Sequence, residues 1–156
     1  MLATKAARGA GAPPAQAAEF GRAVVHHLKA GRDASGISNA LDALPDGPII
    51  DFPIAFARVI ERGGDAPHGQ IDASGWLPLA QSYADALPYA VEVKLAQDAL
   101  TVTADLQRPA PKVPLGRLTL SDPLLEHMNS LAARILVPES DSSRLAGAGA
   151  GLTDND

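Results

Sequence analysis

The feature that most limits the folds open to this chain is a double alternation between residues 89 and 106. Tyr89, Val91, Val93 and Leu95 alternate with Ala90, Glu92 and Lys94, and after Gln97-Asp98 the residues Leu100, Val102, Ala104 and Leu106 alternate with Thr101, Thr103 and Asp105. Successive side chains of a strand point to opposite faces, so this period of two describes two strands that share one buried face. The spacing predicts an antiparallel hairpin. Its turn holds no glycine, which disfavours a tight primed turn and favours a slightly longer loop. A lone hairpin is marginal in water, so other parts of the chain must cover its apolar face.

Helical periodicity supplies that cover. Residues 2–8 are Ala-rich and open a short helix that Gly9 and Gly11 interrupt. A second helix starts at Pro13-Pro14, where a missing N–H costs nothing, places Ala17, Phe20, Ala23, Val24, His27 and Leu28 on one face, and stops at Gly31. A third runs from Ser35 or Ser38 to Leu44, with Ile37, Leu41 and Leu44 inward, before a Pro45-Asp46-Gly47-Pro48 turn. The most apolar run, residues 49–60, contains Pro53, which reads as a short extended entry followed by a helix over 53–62. Residues 63–69, GGDAPHG, read as a surface loop, because no clear strand precedes them and no GK[ST] ends them as in a phosphate loop.

A further helix over 76–87 aligns Trp76, Leu79, Ala80, Tyr83 and Leu87, with Trp76 as a core anchor or the wall of a pocket. Beyond the hairpin, Pro109, Pro111 and Pro114 make an extended linker and residues 116–120 add a third strand. Ser121 or Asp122 then caps a helix whose inward stripe is Leu124, Leu125, Met128, Leu131, Ala132 and Ile135, stopped by Val137-Pro138. The expected fold is α+β, with helices at both ends packed on a small antiparallel sheet built around the 89–106 hairpin. One domain spans 1–139, and a Gly/Ala-rich tail occupies 140–156.

Composition excludes several chemistries. A chain of 156 residues, 46% hydrophobic and 20% charged, suffices for one core but would leave two domains marginal. With no cysteine there is no disulfide, thiolate metal site or cysteine nucleophile, which fits a reducing cytoplasm. The first residues lack the apolar run of a signal peptide, and no stretch is long enough to cross a bilayer, so a cytoplasmic protein without a membrane partner is expected. His26 and His27 are neighbours, about 100° apart on a helix, and so cannot chelate one metal together. Glu126 and His127 diverge in the same way and make no acid/base pair. Neither a metal nor a cofactor is expected.

Charge is unevenly placed. Lys5, Arg8, Arg22, Lys29 and Arg32 stand against Glu19 alone in residues 1–32, so that segment carries +4 and the rest −9 of the net −5. The charges are too sparse, and too poor in interleaved aromatics, for a nucleic-acid surface. A basic segment that packs on an acidic body of the same or a neighbouring subunit is the expectation. The tail, SDSSRLAGAGAGLTDND, alternates Gly147, Gly149 and Gly151 with alanine, and cannot bury enough apolar area to offset its ordering entropy unless something binds it. Glycines allow backbone N–H groups to approach an anion, and arginines can clamp one. The candidate anion or partner contacts are therefore Arg8, Gly9, Gly11, Ser143, Arg144, Gly147, Gly149, Gly151, Asp154 and Asp156; catalytic residues are not identifiable, since no Ser/His/Asp or zinc spacing is present.

The opening TKAARGAG with its following AEFGRA, and the closing VPESDSSRLAGAGAGLTDND, resemble a bacterial, mainly proteobacterial, family defined as a domain of unknown function. The resemblance covers about a third of the chain at its two ends and implies shared architecture, with no catalytic residue to transfer. Two functional classes stay open on these residues. The favoured one is a non-catalytic interaction protein, a homodimer or accessory subunit whose basic first segment and Gly/Ala tail dock on a protein partner. The other is a small enzyme or binder for an anionic metabolite, clamped by Arg8 and Arg144.

Overall fold

The computed structural model describes residues 1–112, 114 and 116–135. The chain runs α1 (Leu2–Gly9), α2 (Pro14–Lys29), α3 (Ser35–Asp42), α4 (Pro48–Ile60), β1 (His68–Asp72), α5 (Leu77–Asp85), β2 (Tyr89–Leu95), β3 (Ala99–Pro109) and α6 (Asp122–Ala133). This is the α+β arrangement of helices around a small antiparallel sheet.

Helix α1 is built for close packing. Its sequence LATKAARG turns Ala3, Ala6 and Ala7 inward, and Ala6 and Ala7 are wholly buried between α2 and α6. Small side chains let helix backbones approach, and glycine lets them approach further. A Cβ placed on Gly9 would lie 1.8 Å from the Leu131 carbonyl oxygen of α6, and one on Gly21 of α2 would lie 2.1 Å from Thr4 Oγ1 of α1. Gly11, at φ 107°, turns the chain from α1 into α2 in a conformation that other residues rarely adopt. Helix α2 buries Ala17, Phe20, Ala23, Val24 and His27, the face its periodicity predicts.

The sheet has the order β1-β3-β2, antiparallel throughout. Val93 stands opposite Val102, and both Leu95 and Ile71 stand opposite Leu100, so the apolar residues share one face, though Leu95, expected in the buried set, is 53% exposed. On that face Leu100, Val102 and Ala104 are fully buried, with α5 packed against β2 and β3 and α4 against β1. The other face presents His68, Gln70, Glu92, Lys94 and Thr101. The hairpin closes without glycine through a bond from the Ala96 N–H to the Ala99 carbonyl, 2.8 Å.

Several expectations need correction. The third strand is β1, not residues 116–120, which form no strand; β3 has β2 on one edge and β1 on the other, so no edge of it is left. Accordingly the loop read over 63–69 ends early, and His68 and Gly69 belong to β1. Helix α4 begins at Pro48 and runs through Pro53. Gly47, at φ 81°, sets the entry, and Pro48 fits the first turn. Pro53 forfeits the bond to the Ile49 carbonyl, a loss of about 3 kcal/mol in a helix interior. Burial of Ile49, Phe52, Pro53, Phe56 and Val59 on one side of the same helix offsets it. In α6, Leu124, Met128 and Leu131 face inward as expected, whereas Leu125 and Ile135 are 37% and 36% exposed. The helix stop at Val137-Pro138 and the tail over 140–156 lie outside the described residues.

The Gly9 contact has a direct test. Gly9→Ala forces α1 away from α6 and is expected to cost about 1–3 kcal/mol, the usual range for overpacking. Gly116→Ala, whose Cβ would meet nothing within 4 Å, leaves stability unchanged. Urea unfolding of the two variants checks this; equal midpoints would show that the close approach is not a constraint.

Candidate functional site

A buried polar chain links α2 to α5. His27 and Ser82 are both fully buried, and the histidine Nδ1 lies 2.9 Å from Ser82 Oγ. The histidine Nε2–H donates to the Asp33 carbonyl at 2.9 Å, which leaves Nδ1 to accept from the Ser82 hydroxyl. Arg32 Nη1 donates to Ser82 Oγ at 3.0 Å, and Arg32 Nη2 pairs with Asp85 Oδ2 at 2.8 Å. Ser82 Oγ also sits 2.8 Å from the Pro78 carbonyl one turn back, so its single hydrogen is shared between two acceptors. A serine beside an imidazole suggests nucleophile and base. Here both are sealed from solvent, so the pair has no path to a substrate and serves to latch α2, the turn after it and α5 together.

Tyr83 follows on the same helix. Its ring stacks on Phe56 with centroids 6.3 Å apart and meets Phe52 edge-on at 5.5 Å. Its buried hydroxyl has no hydrogen-bond partner among the described residues. Burial, and secondarily the charge of Glu19, push its pKa well above the ordinary 10.0.

Two solvent-facing clefts flank this core. One, of about 470 Å³, lies between α4 and the turn after β1 and is lined by Asp51, Arg58, Asp72, Ser74 and Trp76 among others. Trp76 is thus half-buried at the head of α5, packed on the core and open to the cleft at once. The Ser74 hydroxyl, 2.7 Å away, and its N–H, 3.0 Å away, donate to Asp72 Oδ1 and hold that carboxyl below the usual carboxylate range. The other cleft, of about 400 Å³, gathers His26, Lys29, Asp85, Tyr89, Val91 and Pro111.

The groove between α1 and α6 differs in character. It encloses about 570 Å³ and is lined by Met1, Leu2, Thr4, Lys5, Arg8, Asn129, Ala132, Ala133 and Ile135. Met1 is 94% exposed at its margin. The floor is aliphatic and the rim basic. Other basic residues of the first segment are engaged: Arg22 with Glu19 at 3.7 Å, Arg32 with Asp85, and Lys29 with the Pro114 carbonyl. Among the described residues, neither Lys5 nor Arg8 has an ion-pair partner.

Of the ten contacts expected from sequence, three are among the described residues, and only Arg8 of these lines the groove. Arg8 is exposed on the groove rim, Gly9 is spent on the approach to Leu131, and Gly11 on the turn. Ser143, Arg144, Gly147, Gly149, Gly151, Asp154 and Asp156 lie outside the described residues. Sequence reasoning missed the role of Lys5, three residues before Arg8 and so on the same face. It also missed Ser82, whose one signal is a polar residue within the buried Leu79–Tyr83 stripe. His127 pairs with Asp42 at 3.1 Å, tying α6 to α3. Among the described residues no cluster of acidic or histidine side chains could hold a metal, and no helix is long and apolar enough to cross a membrane. No family model matches the sequence, and no curated protein or solved structure does either.

Neighbouring residues of α5 should respond oppositely. Ser82→Ala strands His27 Nδ1 in the interior and is expected to cost about 1–3 kcal/mol, while Tyr83→Phe removes an unpaired hydroxyl and leaves stability equal or higher. Because the folded tyrosine ionises above its ordinary 10.0, wild-type stability falls as pH rises past that value, and Tyr83→Phe should flatten that decline. Chemical unfolding between neutral and alkaline pH measures both effects; a destabilised Tyr83→Phe would mean that the hydroxyl has a partner.

Proposed function

We propose that this chain is a non-catalytic interaction protein that receives an acidic, apolar segment of a protein partner in the groove between α1 and α6. The observation that carries the reading is the pairing of an apolar lining with two cations, Lys5 and Arg8, that have no ion-pair partner among the described residues. An exposed apolar trough with a charged margin suits peptide or helix capture, in which apolar burial supplies affinity and charge supplies orientation. An accessory subunit in a bacterial cytoplasm would be in keeping with the resemblance of the chain's two ends and with its lack of cysteine.

Charge also favours a different protein over a second copy at this surface. A two-fold contact sets the same patch against itself. Among the described residues the groove lining contains Lys5 and Arg8 and no carboxylate, so two copies would oppose cation to cation. The sealed Ser82–His27 pair supports no catalytic alternative, and Gly9, committed to Leu131, is accounted for without an anion.

A photo-activated cross-linking residue at Asn129, exposed in the groove, should yield one heteromeric adduct in the cells that make the protein, while the same residue at Thr101 on the polar sheet face should yield none. The partner identified by mass spectrometry, once purified, should bind the wild-type chain and lose about tenfold or more in affinity for Lys5→Glu/Arg8→Glu. Equal capture from Thr101, an Asn129 adduct that is a second copy of the chain, or unchanged affinity in the double variant would overturn the reading.

A further inference from the structure

The outer edge of β2 is open. Among the described residues β2 pairs with β3 alone, and no strand lies on its other side. Which main-chain groups face that side follows from the hydrogen bonds around β3. The Ala104 N–H donates to the Pro67 carbonyl and the Ala73 N–H to the Asp98 carbonyl, so the even-numbered residues of this stretch bond towards β1. Its odd-numbered residues bond towards β2, as the bond from the Ala96 N–H to the Ala99 carbonyl also requires. Glu92 stands opposite Thr103 and Lys94 opposite Thr101, so the main chain of both is used on β3. The N–H and C=O groups of Val91, Val93 and Leu95 therefore point outward, as a ladder without a partner among the described residues.

The side chains of this edge alternate with its main chain. Val91 and Val93 are half-buried on the face that α5 covers, and Leu95 is exposed at its end. Glu92 and Lys94 are exposed on the opposite face, 3.4 Å from each other. Such a strand is complementary to itself. Two copies running antiparallel about a two-fold axis at Val93 set Val93 against Val93, Val91 against Leu95, and Glu92 against Lys94 on both sides of the axis. The first two become hydrogen-bonded pairs, formed by the groups that point outward, and Glu92–Lys94 becomes a closer non-hydrogen-bonded pair. An axis at residue 92 or 94 keeps the hydrogen bonding but opposes glutamate to glutamate or lysine to lysine. A slip of one residue sets the apolar face of one copy beside the polar face of the other.

We infer that a second copy of this chain occupies the edge, through a two-fold β2–β2 contact that makes one sheet of order β1-β3-β2-β2-β3-β1. The charges set the register, since exposed ion pairs add little affinity. Ladder hydrogen bonds and the covering of Leu95 hold the contact, which by its length belongs to the small, weak class of interfaces. No residue of β2 lines the α1/α6 groove, so the inference goes beyond the docking reading and is tested apart from it.

Sedimentation of the full-length chain at concentrations up to about 1 mM, where contacts of this class are populated, should show a monomer–dimer equilibrium. Glu92→Lys and Lys94→Glu, each alone, should weaken self-association by about tenfold or more, because like charges then face each other on both sides of the axis. An equimolar mixture of the two variants should recover it, since opposite charges meet again. The sequence has no cysteine, so the register can be read by oxidation. Glu92→Cys mixed with Lys94→Cys should form an intermolecular disulfide faster than either variant alone, with Cα atoms about 4.5 Å apart. A chain that stays monomeric throughout, single variants that associate as the wild type does, a mixture that recovers nothing, or a disulfide that forms as fast in one variant alone overturns the inference.

Discussion

The structure depends on how closely α1 approaches its two neighbours. The missing Cβ of Gly9 admits the Leu131 carbonyl, and the missing Cβ of Gly21 admits Thr4, so α1 sits between α2 and α6 with little more than alanine methyl groups at the contacts. Interiors pack at nearly crystalline density, and one added methyl group in such a place has nowhere to go. That constraint consumes the inner face of α1 entirely. What remains on the outer face is Lys5 and Arg8, held on a rigid support beside the aliphatic residues of α6.

Helices α2 and α5 are joined by polar contacts as well as apolar ones. His27, Ser82, Arg32 and Asp85 link α2 to α5, and α5 in turn packs on β2 and β3. A buried histidine and serine are tolerable only because each finds a partner, and the part-buried Arg32 supplies one of them. Next to them the Tyr83 hydroxyl finds none among the described residues, and its ring is retained for contact with Phe52 and Phe56. Position and orientation of α5 are therefore set twice, by hydrogen bonds on one side and by aromatic packing on the other.

Legibility followed side chains. The β2–β3 hairpin and the buried face of α2 were readable because their apolar residues repeat at periods of two and of three to four. Strand β1 was not readable, since its inward positions are Gly69 and Ile71 and a glycine leaves half the alternation blank. Helix α4 was shortened by its prolines, whose local cost is outweighed by a burial that only the tertiary structure reveals. The RGAG stretch was the deepest ambiguity. A glycine that admits an anion and one that admits a carbonyl of another helix look the same in sequence; the Leu131 oxygen beside Gly9 distinguishes them. Likewise the groove that Lys5 and Arg8 line was visible only once Leu2, Ala132 and Ile135 were seen beside them.

Helix α1 thus has one face that holds the fold and another that is exposed, and the docking role proposed for the second should be separable from the first. The most direct measurement is to take Lys5→Glu/Arg8→Glu and determine its unfolding free energy and its partner affinity on the same preparation. Surface substitutions of this kind change stability by about 0.5 kcal/mol or less, so an intact fold with strongly weakened binding is the expected result. Binding that survives charge reversal, or binding lost only in step with stability, would contradict the division of α1 into a packing face and a docking face.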